Sequence, residues 1–247
     1  LVFGLGGVGS SCVEALARST VGELYLVDRD TVDRSNLNRQ ALAFEGTIGR
    51  DKTTVMREMV AQINSQCHVE MLKTFIDRDN VSEVLAWAGA EVDEEGRVVG
   101  RGHIDYVVDA IDTMTQKLVL AKLCWDANIP LISSMGAANR LNPELLEICD
   151  IRKTHGCRMS RTIRKECGRR GIPHLEVLYS SEDPVRPSTS PTWERQATCP
   201  RSWGRWWRVA SYGRSSATSR GAGTRRVAPA TSSTKPSSCP RLPQPPR

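Results

Sequence analysis

The chain carries a small set of glycines, carboxylates, amides and cations whose types and spacing could do phosphate chemistry. Gly4, Gly6 and Gly9, in the stretch LVFGLGGVG, have the spacing of a nucleotide-binding turn between a buried strand and a helix, and Gly7 enriches it further. Glycines let the chain turn tightly and let backbone N–H groups approach a polyphosphate, while the helix that follows aims its positive end at the same anion. Asp28 ends the next apolar strand, Glu23 to Val27, where a carboxylate can bind a ribose hydroxyl pair; the alternative is a turn or cap aspartate. Asn36, Arg39 and Gln40 sit together, and Lys52 follows thirteen residues after the arginine. Brought back to the glycine turn, the two cations could hold the phosphates of a nucleoside triphosphate; taken singly, each also reads as a solvated surface charge. In DAID, Asp109 and Asp112 stand at the carboxyl end of an apolar strand, where one carboxylate could hold Mg²⁺ against substrate phosphates; helix capping is the other reading.

The elements that must position these groups alternate. Leu1 to Phe3, Glu23 to Val27, Val69 to Phe75, Ile104 to Val108 and Ile129 to Ser134 read as strands. Helices are expected over Cys12 to Arg18, Thr53 to Ser65, Asn80 to Trp87 and Thr115 to Ala127, and Leu145 to Cys149 reads as an additional strand. That alternation argues an α/β fold with a doubly wound, mostly parallel, Rossmann-like sheet. The polar segment between Asp28 and Lys52 is too long for a simple connection, and structured loops of that length are usually functional. Ala88 to His103, with its acidic run, reads as a surface loop.

Charge divides the chain in two. Residues 1–183 hold 22 Lys/Arg against 27 Asp/Glu, whereas residues 184–247 hold 12 against 1. The first segment reads as one domain. The second, rich in Arg, Ser, Pro, Thr and Trp without apolar periodicity, reads as a low-complexity basic tail, disordered by composition or out-of-frame in origin. Between Arg152 and Arg170 stand eight Lys/Arg and one acid, Glu166; Arg161, Arg164, Lys165 and Arg169 could share much of a helix face and meet a phosphate backbone, or form a solvated basic helix. The eight cysteines include no CxxC pair, so no structural zinc is expected, and their wide spacing suggests reduced thiols. No apolar run is long enough to span a membrane.

The glycines, VDRDTVDRSNLNRQ, Lys52 and DAID together resemble the ThiF/MoeB/HesA adenylyltransferases, whose fold is that of ubiquitin-activating enzymes; the resemblance covers roughly residues 1–180. It implies that Asp28 holds the ATP ribose, that Asn36, Arg39 and Lys52, with Gln40 adjacent, hold the phosphates, and that Asp112 binds Mg²⁺. It also implies attack by a carboxylate on the α-phosphate, giving an acyl-adenylate and pyrophosphate. The stretch GAANRLNPELLEICDIRKTHG and the basic segment after it look most like the TcdA branch, the tRNA threonylcarbamoyladenosine dehydratases. The partner implied is tRNA, with Arg161, Arg164, Lys165 and Arg169 as its contacts. The resemblance further implies a homodimer, and a helix expected ahead of Leu1 that can lend an arginine to the partner subunit. Cytoplasmic location is expected, or the mitochondrial outer membrane if targeting segments precede or follow this chain.

Other readings predict different partners. Activation of a ubiquitin-like or sulfur-carrier protein would adenylate a Gly-Gly C-terminus, with Cys149, Cys157 and Cys167 candidate acceptors by position. A dinucleotide-binding dehydrogenase would use the glycines and Asp28 but leave Arg39, Lys52 and Asp112 without a purpose. A catalytically dead remnant would bind nucleotide without turnover.

Overall fold

The computed structural model describes residues 1–140 and 142–184. The tail, apart from Pro184, therefore lies outside the described residues. Seven strands form one sheet: β1 (Val2–Phe3), β2 (Glu23–Val27), β3 (His68–Leu72), β6 (Val107–Asp109), β7 (Leu131–Ser134), β8 (Leu146–Asp150) and β9 (Glu176–Ser180). Their order is β3-β2-β1-β6-β7-β9-β8, parallel throughout except for β8, which runs antiparallel to β9 at the edge. The helices are α1 (Gly7–Arg18), α2 (Lys52–Ile63), α3 (Val81–Trp87), α4 (Met114–Asp126) and α5 (Arg158–Arg169). The doubly wound reading is thus the observed architecture.

Both faces of the sheet are covered, which is why its strands are apolar at consecutive positions rather than alternating. Successive side chains of a strand point to opposite faces, and the core divides accordingly. Val2, Leu24, Leu26 and Val108 pack with Cys12 and Val13 of α1 and Met56 and Val60 of α2. Phe3, Val27 and Val107 pack on the other side with Leu85 of α3 and Leu120 of α4. A third cluster joins Ile163 and Cys167 of α5 to Val177 and Tyr179 of β9.

The strand order reverses beside β1. Chain from β1 runs outward through β2 to β3, then returns to lay β6 on the other side of β1. The crevice at the carboxyl ends of β1 and β6 is the place where open α/β sheets bind ligands.

Two expectations are corrected. Ala88 to His103 is not a plain surface loop: β4 (Glu91–Val92) and β5 (Val98–Gly100) pair antiparallel as a separate hairpin, turned by Gly96 at φ +77°. Residues 176–180, unassigned by periodicity, form β9, which inserts between β7 and β8 and so converts the additional strand 146–150 into the sheet edge.

Leu26, wholly buried in the central sheet, sets the expected scale of the core: Leu26→Ala should lower the unfolding free energy by about 2–5 kcal/mol in urea denaturation, with unchanged m-value.

Candidate active site

The crevice at the switch point is a cleft of about 480 Å³, open on one side and lined by residues from the carboxyl ends of β1, β2, β6 and β7. Its floor is the β1–α1 turn. Gly4 has φ +85°, and a Cβ there would lie 2.8 Å from the Ala110 carbonyl oxygen. A Cβ on Gly9 would lie 1.8 Å from the Gly4 carbonyl oxygen. These two glycines allow the backbone to close on itself. Gly6 differs, since a Cβ there meets nothing within 4 Å and the residue borders the cleft. Gly6 is also the N-cap of α1, no side chain caps it, and the first turn holds no acid, so the helix N-terminus opens on the cleft. Gly7 lines the cleft and Gly9 lies beneath it.

Asp28 braces this floor. Its Oδ2 accepts the Leu5 N–H at 2.5 Å and its Oδ1 the Asp30 N–H at 2.8 Å. Each carboxylate oxygen keeps a further lone pair. Asp28 faces the cleft, so ribose hydroxyls can be added to the two backbone donors.

The long segment after Asp28 folds back because its ends are stitched together. Thr31 pairs with Asp51, Val32 N–H donates to Arg50 O at 2.8 Å, and Lys52 N–H donates to Asp30 O at 3.1 Å. Within it, Asn36 Oδ1 accepts the Asp33 N–H at 3.1 Å, which leaves the amide Nδ2, 3.5 Å from Ser35 Oγ, as a donor for the cleft. Arg39 donates to Ser35 O at 2.7 Å and Asn38 Oδ1 at 3.0 Å, and burial pulls its pKa down without taking arginine out of its charged form. Gln40 Oε1 is buried with no hydrogen-bond partner among the described residues. Lys52, only 4% exposed, is the first residue of α2 and bonds Asp30 Oδ2 at 2.9 Å. Asn36, Arg39, Gln40 and Lys52 all line the cleft.

The two aspartates of DAID have different fates. Neither caps α4, whose N-cap is Thr113 without a side-chain bond, so the capping alternative is overturned for both. Asp109 is fully buried: its Oδ1 lies 3.0 Å from Lys117 Nζ, and its Oδ2 accepts from Ser133 Oγ at 2.6 Å. Desolvation pulls the Lys117 pKa down, and the Asp109 charge opposes it. Asp112 is exposed on the cleft wall.

Several lining residues escaped the sequence reading. Asp30 holds Lys52, and Arg29 lies over the Phe75 ring with its guanidinium carbon 4.2 Å from the ring centroid. Gly136, Gln116 and Met159 also reach the cleft. Asp30 was legible in principle, two residues beyond Asp28; the others come from distant elements.

The basic helix sits beside the cleft rather than in it. Met159 at its start lines the cleft, while Arg161, Lys165 and Arg169 are exposed. Arg164 is turned inward: its NH1 donates to Thr154 O at 2.5 Å and to Thr154 Oγ1 at 3.1 Å. It is bound to the fold, not presented with the other three, because spacing alone put it on the shoulder of the exposed stripe. Arg169 pairs with Glu166 at 2.7 Å.

This glycine-floored cleft, lined by Asp28, Arg39, Lys52 and the exposed Asp30 and Asp112, coincides with a match of residues 1–176 to the model of the ThiF family. The chain belongs to the ThiF family. Among its relatives, tRNA threonylcarbamoyladenosine dehydratase of Bacillus subtilis is 40% identical over 185 residues, covering 74% of this chain and 67% of that protein. The chain is also similar to the crystal structure of Escherichia coli tRNA N6-threonylcarbamoyladenosine dehydratase, TcdA, in complex with AMP: TM-score 0.76, 28% identity, 88% of this chain and 85% of that one. The same enzyme in complex with ATP matches at TM-score 0.73 and 28% identity, over 89% and 87% of the two chains.

The buried pair beneath the ThiF cleft yields a stability test. Lys117→Met strands a buried carboxylate and should cost about 3–5 kcal/mol in urea denaturation, while adding Asp109→Asn to it should recover part of that loss.

Proposed function

We propose that this chain is an ATP-dependent tRNA threonylcarbamoyladenosine dehydratase, adenylating the threonyl carboxylate of the modified adenosine to drive ring closure. The observation that carries this reading is the convergence of Gly6, Asp28, Asn36, Arg39, Lys52 and Asp112 on one cleft. The ThiF-family match and the ATP- and AMP-bound relatives support the nucleotide, and the relatives' names support the tRNA substrate.

In this mechanism Asp28 accepts the ribose hydroxyls while continuing to accept from Leu5 and Asp30. Asn36, Arg39 and Lys52 donate to the phosphates, Lys52 exchanging its bond to Asp30 for a phosphate oxygen. The N-terminus of α1 at Gly6 adds backbone dipoles aimed at the same charge. A carboxylate oxygen of the substrate attacks the α-phosphorus, the bond to the bridging oxygen breaks, and pyrophosphate leaves. An internal nucleophile of the same substrate then attacks the activated carbonyl and AMP departs, so that water is lost overall. Positioning and fixed charge carry the acceleration, since the groups are held before reaction begins.

Asp112 fits a role in holding Mg²⁺. Among the described residues there is no group of three or more His, Cys, Asp and Glu arranged for a metal, and Mg²⁺ on nucleotide phosphates needs none, because it keeps waters and takes one or two carboxylates. The ion would neutralise charge on the phosphates when bound. The exposed Arg161, Lys165 and Arg169 would meet the tRNA backbone next to the cleft, and the chain would act as a homodimer.

Pyrophosphate exchange into ATP tests the reading. Exchange should depend on tRNA carrying threonylcarbamoyladenosine, and Lys52→Ala should slow it by about 10²-fold; Gly6→Ala should fold normally yet bind ATP more weakly. Exchange with a Gly-Gly carrier protein instead of tRNA would overturn it. Replacing Arg161, Lys165 and Arg169 together by Ala should weaken tRNA binding and reduce its salt slope by roughly 1 per charge, with ATP binding unchanged.

A further inference from the structure

The start of α5 is built as an anion cap with a thiol in it. Cys157 is the N-cap residue, 7% exposed, and its Sγ accepts the Ser160 N–H at 3.5 Å. Two buried side chains belong to this region: Arg140, whose charge acts on Cys157, and Ser160, in the first turn of α5. Arg140, 3% exposed, donates to Ser180 O at 2.8 Å and to Gly156 O at 3.4 Å, but its Nε makes no hydrogen bond among the described residues. The Ser160 hydroxyl, 1% exposed, makes none either. A buried polar group without a partner is destabilising. Two of them at a helix N-terminus suit a bound anion far better than a neutral thiol.

The other described cysteines contrast with it. Burial pushes the thiols of Cys12, Cys67, Cys124, Cys149 and Cys167 up. Burial acts on Cys157 in the same direction, but Ser160, the Gly136 N–H and the Arg140 charge outweigh it and hold its pKa below the ordinary thiol value.

We propose that Cys157 is a peroxide-modifiable thiol whose sulfenate is held in this cap, its oxygen accepting hydrogen bonds from Arg140 and Ser160. The thiolate sulfur attacks one oxygen of hydrogen peroxide; the S–O bond forms as the O–O bond breaks. The thiol proton is released to solvent, and the departing hydroxide takes the proton of the transferred oxygen and leaves as water, so the product is the sulfenate. Sulfur loses two electrons and the peroxide gains them. The new oxygen supplies the acceptor that both orphaned donors lack. The modified side chain bears on the cleft wall, because a Cβ on Gly136 would sit 3.7 Å from Sγ, and Gly136 and Met159 both line the cleft.

The full chain treated with limiting hydrogen peroxide and dimedone, followed by peptide mapping, tests this. Each of the eight cysteines, including Cys199 and Cys239, is read on its own peptide. Dimedone should appear at Cys157 roughly ten-fold faster than at Cys67 or Cys149, since the thiolate fraction sets the rate. Cys157→Ser should remove that adduct and leave the others. Cys157→Asp, which places a permanent carboxylate in the cap, should raise Tm by about 2–4 °C without peroxide. Labelling of Cys67 or Cys149 as fast as Cys157, or a lower Tm in Cys157→Asp, would overturn the proposal.

Discussion

The close approach of α1 to the end of β1 is the constraint on which the rest of the molecule depends. Gly9 lies against the Gly4 carbonyl, and Gly4 against Ala110, with no room for a side chain at either contact. Three segments therefore meet at the switch point of the sheet as bare backbone: the turn after β1, the first turn of α1, and the connection leaving β6. The Leu5 N–H bond to Asp28 ties the end of β2 to the same point. A floor made of main chain can approach a polyphosphate closely, and Gly6 is the glycine that keeps it uncovered.

Charge is placed on that floor in two ways with different consequences. Lys52 and Arg39 are held by partners at the rim, Asp30 and the Ser35 carbonyl, which a phosphate can replace without stranding a buried charge. Asp109 and Lys117 are held by each other and by Ser133, out of water. Such a pair does not exchange partners. It joins the ends of β6 and β7 to α4 and so fixes the wall from which Asp112 projects. The rim contacts leave Lys52 and Arg39 able to change partners, and the buried pair keeps the wall in register.

The edge of the sheet extends this logic to α5. With β9 between β7 and β8, the α5 helix packs through Ile163 and Cys167 against the last strands and brings Met159 to the cleft. Its other side faces outward with Arg161, Lys165 and Arg169. Arg164 and Arg140 are drawn inward to satisfy carbonyl groups. Basic residues adjacent in sequence thus divide between surface and fold.

The sequence by itself determined the parallel core and the nucleotide-type site. Strand-helix alternation, paired apolar positions such as Val2 and Phe3, and the Gly4 to Gly9 spacing are local signals of period and turn chemistry. Asp28, Asn36, Arg39, Gln40 and Lys52 stood out because their residue types are chemical and they lie close in the chain, and Asp112 because it follows the carboxyl end of an apolar strand. Tertiary structure decided what depends on long-range pairing. The strand at 176–180 carried no legible period, and its place between β7 and β8 follows from hydrogen bonding to residues far away in the chain. Whether Asp109 or Asp112 faces the cleft turned on which carboxylate Lys117 and Ser133 could reach. Likewise Arg164 left the basic stripe, and Arg140 reached the carbonyls of Ser180 and Gly156, because buried carbonyls and donors must find partners wherever the fold supplies them. Composition and spacing do not encode those meetings.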